Sequence, residues 1–161
     1  MKFMMNGALT MGTRDGATIE MAAEAGEENF LLFGLTAQQV SDSRAWYDPR
    51  WHYDHDPETR AALDLIGAGH FSGSDPKLFR PLYDLLMHGD RYMHLADLTS
   101  YLKADQRMRS WYADPRDWAR KAILNIGSSG RFSSDRSIAE YASEIWGAKT
   151  CPISARNFEH E

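Results

Sequence analysis

The sequence contains a single cysteine, Cys151, among its 161 residues. One thiol excludes an internal disulfide and is typical of a protein from a reducing cytosol. No apolar run approaches the roughly 20 residues of a membrane span, and the first residues lack the pattern of a signal peptide. We therefore expect a cytoplasmic protein with no membrane partner.

Positive charge is also scarce. The chain has 18 Lys and Arg residues and 23 Asp and Glu residues, so its net charge is −5. Because phosphate backbones are bound by clustered Lys and Arg, nucleic acid is not an expected partner. Hydrophobic residues make up 43% of the chain and aromatic residues 12%, which is enough apolar side chain for the core of about one domain.

The first 34 residues have the pattern of a βαβ unit. Two apolar runs, residues 8–11 and 29–33, are each followed by glycine and do not alternate with polar residues, which favours strands buried on both faces of a parallel sheet. The Ala- and Glu-rich segment 16–26 predicts a helix between them, and residues 2–6 predict a helical turn. Because an isolated strand pair is marginal, we expect further strands of this sheet in sequence outside the chain.

Residues 35–147 are predicted to be mostly helical. Asp is a good N-cap and Pro suits the first helical position, so an Asp-Pro pair marks a helix start. Four such pairs occur: Asp48-Pro49, Asp56-Pro57, Asp75-Pro76 and Asp114-Pro115. Apolar stripes at helical spacing predict further helices from Asp97 and over residues 134–146, the latter ended by Gly147. Residues 148–161 show no pattern and are predicted to be a loose C-terminal tail.

The segment from His52 to Asp56 is a candidate metal site, because it contains two His and two Asp. However, His52 and His55 are only three residues apart, and no third ligand cluster lies at a known spacing. Asp56 is already explained as an N-cap. We therefore favour a loop that enters a helix and predict no metal site.

Two further segments could bind anions. The glycine-rich residues 67–73 resemble a phosphate-binding loop, but they follow a helical pattern rather than a strand, so a connection between helices is favoured. Residues 128–136 combine Ser and Arg ahead of a helix, where N-capping by Ser133 or Ser134 is the simpler interpretation. Cys151 has no activating pattern beside it and is not expected to be catalytic.

The N-terminal residues carry a resemblance that composition does not suggest. Met1-Lys2-Phe3-Met4-Met5-Asn6 matches the second half of the signature of α-glucan (glycogen/maltodextrin) phosphorylases, in which Met-Lys is followed by two residues, Met or Leu, and Asn. The match continues in order to about residue 147. It includes Gly12-Thr13, Asp15-Gly16-Ala17, Ala25-Gly26-Glu27-Glu28-Asn29-Phe30, Asp114-Pro115-Arg116-Asp117-Trp118, Ser129-Gly130-Arg131-Phe132-Ser133-Ser134-Asp135-Arg136 and Glu144-Ile145-Trp146-Gly147.

This resemblance implies an α/β fold in which residues 1–147 form part of the C-terminal Rossmann-like domain of a GT-B glycosyltransferase. It implies phosphorolysis of α-1,4-glucan by inorganic phosphate to give glucose 1-phosphate. The cofactor would be pyridoxal phosphate, held covalently by the lysine at the position of Lys2, with its 5′-phosphate serving in proton transfer. Lys2 is thus predicted as a cofactor-binding residue, and no catalytic residue is assigned.

The chain also departs from the family pattern. The first half of the signature, Glu-Ala-Ser-Gly, and the family's phosphate-binding Lys and Arg are absent, and Arg14 stands where the family has an apolar residue. We therefore expect a C-terminal segment that is inactive by itself. The alternative is a stand-alone helical interaction module derived from a phosphorylase, which associates, for example as a homo-oligomer, through exposed apolar faces.

Overall fold

The computed structural model describes residues 1–73, 75–149 and 151. These residues are mostly helical and contain one small parallel sheet of two strands, as an α/β chain would. In chain order the main elements are α1 (Lys2–Met5), β1 (Met11–Thr13), α2 (Gly16–Ala25), β2 (Leu31–Phe33), α3 (Ala37–Ser43), α4 (Pro49–His55), α5 (Pro57–Gly67), α6 (Arg80–His88), α7 (His94–Tyr112), α8 (Pro115–Ser128) and α9 (Ser134–Glu140). Within this described part of the chain, no helix has the length and hydropathy that crossing a bilayer requires.

The predicted βαβ order is confirmed, although both strands are shorter than the apolar runs. β1 begins at Met11 rather than at residue 8, and it pairs with Leu31–Phe33 in parallel register, Met11 opposite Leu31. Residues 27–29 form a 3₁₀ turn instead of the start of β2, because the Asn29 side chain donates to the Ala25 carbonyl and extends the end of α2. Gly26, at φ 85°, allows the chain to leave that helix.

One apolar core joins the N-terminal unit, residues 2–33, to Phe132. Its buried members come from α1, α2 and the residue before β2: Met4, Met21, Ala22, Ala25 and Phe30. Leu32 and Phe132 pack against them, and α8 lies against both α1 and α2. A second core, Leu63, Met87 and Leu95, joins α5, α6 and α7.

Two buried polar side chains of α8 fix that helix against the N-terminal unit. The Lys121 Nζ donates to the Glu28 carbonyl at 2.7 Å, and the Asn125 Nδ2 donates to the Asn29 carbonyl at 2.9 Å. Asn125 is 0% exposed and Lys121 only 5%. Because buried polar groups are costly without partners, these bonds select one placement of α8.

Three of the four Asp-Pro pairs start helices as predicted. Asp48, Asp56 and Asp114 are the N-caps of α4, α5 and α8, and each carboxylate accepts hydrogen bonds from backbone N–H groups of the first turn. The prediction for Asp75-Pro76 was wrong. Asp75 accepts from the Lys77 N–H in a turn, and α6 begins only at Arg80, with Pro81 in its first turn.

The last two predicted helices also differ in detail. α7 begins at His94 rather than at Asp97, because the buried Asp90 carboxylate accepts from the N–H groups of His94 and Leu95 and caps the helix from outside. The predicted helix over residues 134–146 is confirmed as far as Ile145, with α9 followed by a π-helical turn, Tyr141–Ile145, and Gly147 at φ 59°. The predicted tail lies largely outside the described residues; Ala148, Lys149 and Cys151 are non-helical.

Replacing Asn125 by Ala should lower the free energy of unfolding by about 1–3 kcal/mol. The substitution leaves the buried Asn29 carbonyl without its Asn125 donor and removes packing volume. Urea titration followed by circular dichroism measures the change. Ile123→Ala, on the exposed side of the same helix, is the matched control and should change stability by less than about 0.5 kcal/mol. Equal effects of the two substitutions would contradict the assigned role of Asn125.

The Asp56 cap should give the protein an acid-sensitive stability. Hydrogen bonds from the Thr59 hydroxyl and from backbone N–H groups lower the pKa of Asp56. Its stabilisation is therefore complete above the unfolded pKa of about 3.9 and is lost as the pH falls through the lower folded pKa. Asp56→Asn keeps a capping oxygen but no titrating group, so its deficit, below about 1 kcal/mol at neutral pH because solvent screens the site, should vanish in acid. A deficit of Asp56→Asn that stays the same in acid would contradict this role of the Asp56 carboxylate.

Candidate functional site

Lys2 lies in α1, a single helical turn with one buried side chain, that of Met4. The Met4 side chain is fully buried in the N-terminal core, and Asn6 closes the turn by donating from Nδ2 to the Lys2 carbonyl at 2.7 Å. Gly7 follows at φ 79°, and a Cβ there would meet the Ile126 Cδ1 at 3.5 Å. The turn is therefore seated on α8, and its backbone has little freedom to move.

The Lys2 side chain points away from this contact and is exposed. Among the described residues, its amine makes no hydrogen bond or ion pair. Its neighbours Met1, Phe3 and Met5 are exposed as well, so an accessible primary amine stands among apolar side chains on a fixed backbone. Such an amine can react with an aldehyde, and the apolar neighbours can cover a flat ring.

His52 and His55 do not form a metal centre with their neighbours in the described part of the chain. The His55 ring stacks on Trp51, with ring centroids 4.6 Å apart, and its Nδ1 bonds to the Trp51 carbonyl at 2.8 Å. The Asp56 carboxylate is occupied by the α5 cap. No group of three or more candidate ligands comes together in residues 1–73, 75–149 and 151.

The two candidate anion segments have structural roles. Residues 67–73 connect α5 to the turns before α6, as the favoured interpretation predicted. Ser133 caps α9 by accepting from the Arg136 N–H at 3.1 Å. Arg136 pairs with Glu140 at 2.6 Å and Arg131 pairs with Glu24 at 3.2 Å, so both guanidinium groups already face carboxylates. Cys151 is exposed.

A cavity of about 540 Å³ between α3, α4 and the start of α7 was not predicted. Its lining is largely aromatic: Leu35, Ser43, Trp46, Tyr47, Asp48, Trp51, His52 and Ala96. The Tyr47 hydroxyl donates to Asp90 at 2.7 Å, and burial together with this carboxylate raises the pKa of Tyr47. Burial lowers the pKa of His52. The density of aromatic residues in positions 46–53 was the signal available in the sequence.

A second cavity, of about 460 Å³, lies at the carboxyl ends of β1 and β2, the edge where parallel sheets commonly hold ligands. Arg44 and Arg91 line it together with Asp15 and Asp97. The Asp97 Oδ1 accepts from the Leu35 N–H at 2.8 Å, and burial raises the pKa of this carboxyl. The cavity therefore presents both signs of charge.

Comparison with known proteins accounts for nearly all of the described chain. A family model described as carbohydrate phosphorylase matches residues 1–148. The bovine muscle form of glycogen phosphorylase is 49% identical over 150 residues, and the human muscle form is 48% identical over 151. The human brain form is 48% identical over 150 residues. In each case the match covers 92% of this chain and 18% of the relative.

The chain thus spans less than a fifth of the length of these relatives. The match follows the same stretch of sequence as the resemblance noted above and confirms it. The family model matches residues 1–148, and close to half of the residues are identical across nine-tenths of the chain. Both findings indicate the same family. This protein belongs to the carbohydrate phosphorylase family.

Proposed function

We propose that this chain is the C-terminal segment of an α-glucan phosphorylase that cleaves α-1,4-glucan with inorganic phosphate and releases glucose 1-phosphate. The observation that carries the proposal is the identity of about half the residues with glycogen phosphorylases over nearly the whole chain. The proposal includes a cytoplasmic location and glucan and phosphate as partners.

In this proposal residues 1–147 belong to the C-terminal Rossmann-like domain of a GT-B fold. The parallel pair β1–β2 carries α2 and α7 against it. Two strands of three residues each are too few for a stable sheet. Further strands on either side would complete the sheet, and the remaining four-fifths of a relative's length is long enough to supply them.

Lys2 is the proposed attachment point for pyridoxal phosphate. The fit rests on the exposed amine, the fixed backbone of α1 and the apolar side chains of Phe3 and Met5 beside it. When bound, the cofactor supplies a phosphate group for proton transfer next to the substrate phosphate. The role of this chain is to hold that group at a defined position through Lys2, while Met4 anchors α1 in the apolar core and α8 lies against α1 at Gly7.

The isolated chain should not catalyse the reaction. Phosphorolysis needs positioned cations for the phosphate and positioned groups for the sugar. Near Lys2, the exposed flank of α1 offers the apolar side chains Met1, Phe3 and Met5. The groups that position the phosphate and the sugar for catalysis would come from other parts of an intact phosphorylase.

A chimaera tests the proposal. Residues 1–148 replace the matched segment of the bovine muscle-form glycogen phosphorylase, and glucose 1-phosphate release from glycogen and phosphate is measured. The chimaera should be active, its Lys2→Arg variant should fall to the blank, and Lys103→Arg, at an exposed lysine of α7, should keep full activity. Borohydride reduction and peptide mass mapping should find the cofactor on the Lys2 peptide only. An inactive but folded chimaera, or cofactor on another lysine, would contradict the proposal.

A second candidate function, a helical interaction module, is favoured by one surface. Ile138, Tyr141 and Ile145 follow one another at helical spacing along α9 and its π-helical turn, and all three are exposed. An apolar stripe of this kind favours association, including a homo-oligomer. Within the proposed phosphorylase, the same stripe would be covered by the rest of the protein.

Light scattering of the isolated chain should therefore show a mass that rises with concentration. The double variant Ile138→Ser and Ile145→Ser should stay monomeric, because it removes two apolar side chains from the stripe. Ile19→Ser, at an equally exposed isoleucine of α2, should associate as wild type does. A wild-type monomer at high concentration would contradict the self-association.

A further inference from the structure

We propose that the cavity between α3 and α4 binds an α-1,4-glucan chain, with Trp46 and Trp51 as stacking surfaces and His52 and Asp48 as hydrogen-bonding groups. The choice of saccharide rests on the proposed function. The site itself rests on the side chains that line the cavity.

The two indoles are unusually available for a ligand. Trp46 is 73% exposed and Trp51 is 55% exposed, yet both border the same cavity of about 540 Å³. That volume lies within the range of about 300–1,000 Å³ typical of ligand sites. Large exposed aromatic side chains at a concave surface expose apolar area to water, and a sugar ring covers such area with its C–H face.

Trp51 is held in place before any ligand arrives. Its ring stacks on His55 at an interplanar angle of 16°, and His52 meets it edge-on at 5.1 Å between centroids. His55 is itself tied to the Trp51 carbonyl. A ring fixed in this way loses little conformational entropy on binding, which is the advantage of a preorganised stacking surface.

The polar groups in the cavity suit hydroxyl groups. Within the described part of the chain, neither ring nitrogen of His52 has a hydrogen-bond partner, and burial lowers the pKa of this imidazole. A neutral imidazole offers one donor and one acceptor. Asp48 uses Oδ1 for the α4 cap, which leaves Oδ2 as an acceptor. Sugar hydroxyls both donate and accept, so this set can pair with them.

The charge around the cavity excludes an anionic ligand. Asp48 lines it, and Asp90 lies directly behind Tyr47. No Lys or Arg is among the residues that line it, and the nearby Arg50 guanidinium contacts His88 at 3.1 Å. A phosphate ester would meet carboxylates without a compensating cation, whereas a neutral glucan meets no such penalty.

Binding of maltoheptaose to the full chain, measured by isothermal titration calorimetry, tests the proposal. Trp46→Ala and Trp51→Ala should each weaken binding about tenfold, and the double variant should show no measurable binding. Trp46→Phe should retain most of the affinity because it keeps an aromatic face. Trp146→Ala removes an indole that is 63% exposed outside the cavity and should bind as wild type does.

Circular dichroism and thermal midpoints of the variants establish that each one folds, which the exposure of both indoles leads us to expect. Three outcomes would overturn the site: no binding of maltoheptaose by the wild type, unchanged affinity in the double variant, or equal binding of cellohexaose. A fourth is dissociation of an oligomer by the double variant without a change in glucan affinity, which would make the cavity a contact between copies of the chain.

Failure of this site and failure of the proposed reaction give different results. Suppose that the chimaera is active and carries its cofactor on Lys2, but that substitution of Trp46 and Trp51 does not change glucan binding. Then only the proposed glucan site is contradicted. If the chimaera is inactive while maltoheptaose binding depends on both indoles, the site stands and the reaction is wrong.

Discussion

The described structure depends on the bonds that α8 makes to the segment just before β2. Lys121 and Asn125 reach the carbonyls of Glu28 and Asn29 across more than ninety residues of sequence. Burying an ammonium group is costly, and here it is offset by the Glu28 carbonyl, by Asp117 at 3.5 Å and by the Trp111 ring, whose centroid lies 4.3 Å from Nζ. These partners surround Lys121 only in the observed placement of α8. A shift of α8 along the N-terminal unit would leave the buried ammonium group without them.

A second connection ties α7 to the end of β2. The Ser100 hydroxyl accepts from the Gly34 N–H, and Asp97 accepts from the Leu35 N–H. A Cβ on Gly34 would lie 2.6 Å from the Asp97 Oδ2, and its φ is 82°, so only glycine lets the carboxylate approach. Burial raises the pKa of Asp97 at this position. The short sheet has α2 and α7 packed against it, and side chains of α7 hold the residues that follow β2.

Local chemistry was predictable from the sequence, and distant pairing was not. Asp48, Asp56 and Asp114 act within three residues of themselves, so their N-caps could be read from the dipeptide alone. Asp75 has the same dipeptide, yet the chain turns twice before α6 begins. Asp90 caps α7 from outside the helix, which no local pattern indicates. The aromatic cavity is lined by Leu35, Ala96 and residues from 43 to 52. It could not be predicted from the sequence, because only the fold brings these segments together.

The proposed role of Lys2 depends on these constraints. Composition and spacing in the sequence do not distinguish Lys2, and the family resemblance alone predicted its importance. The fold adds a chain of contacts: Met4 packs α1 into the core, Gly7 lies against Ile126 of α8, and Asn125 bonds α8 to the segment before β2. The backbone that carries Lys2 therefore rests on a helix more than a hundred residues further along the sequence. If Lys2 holds the cofactor as proposed, these contacts would matter for the reaction, because small displacements of a positioned group are costly in rate.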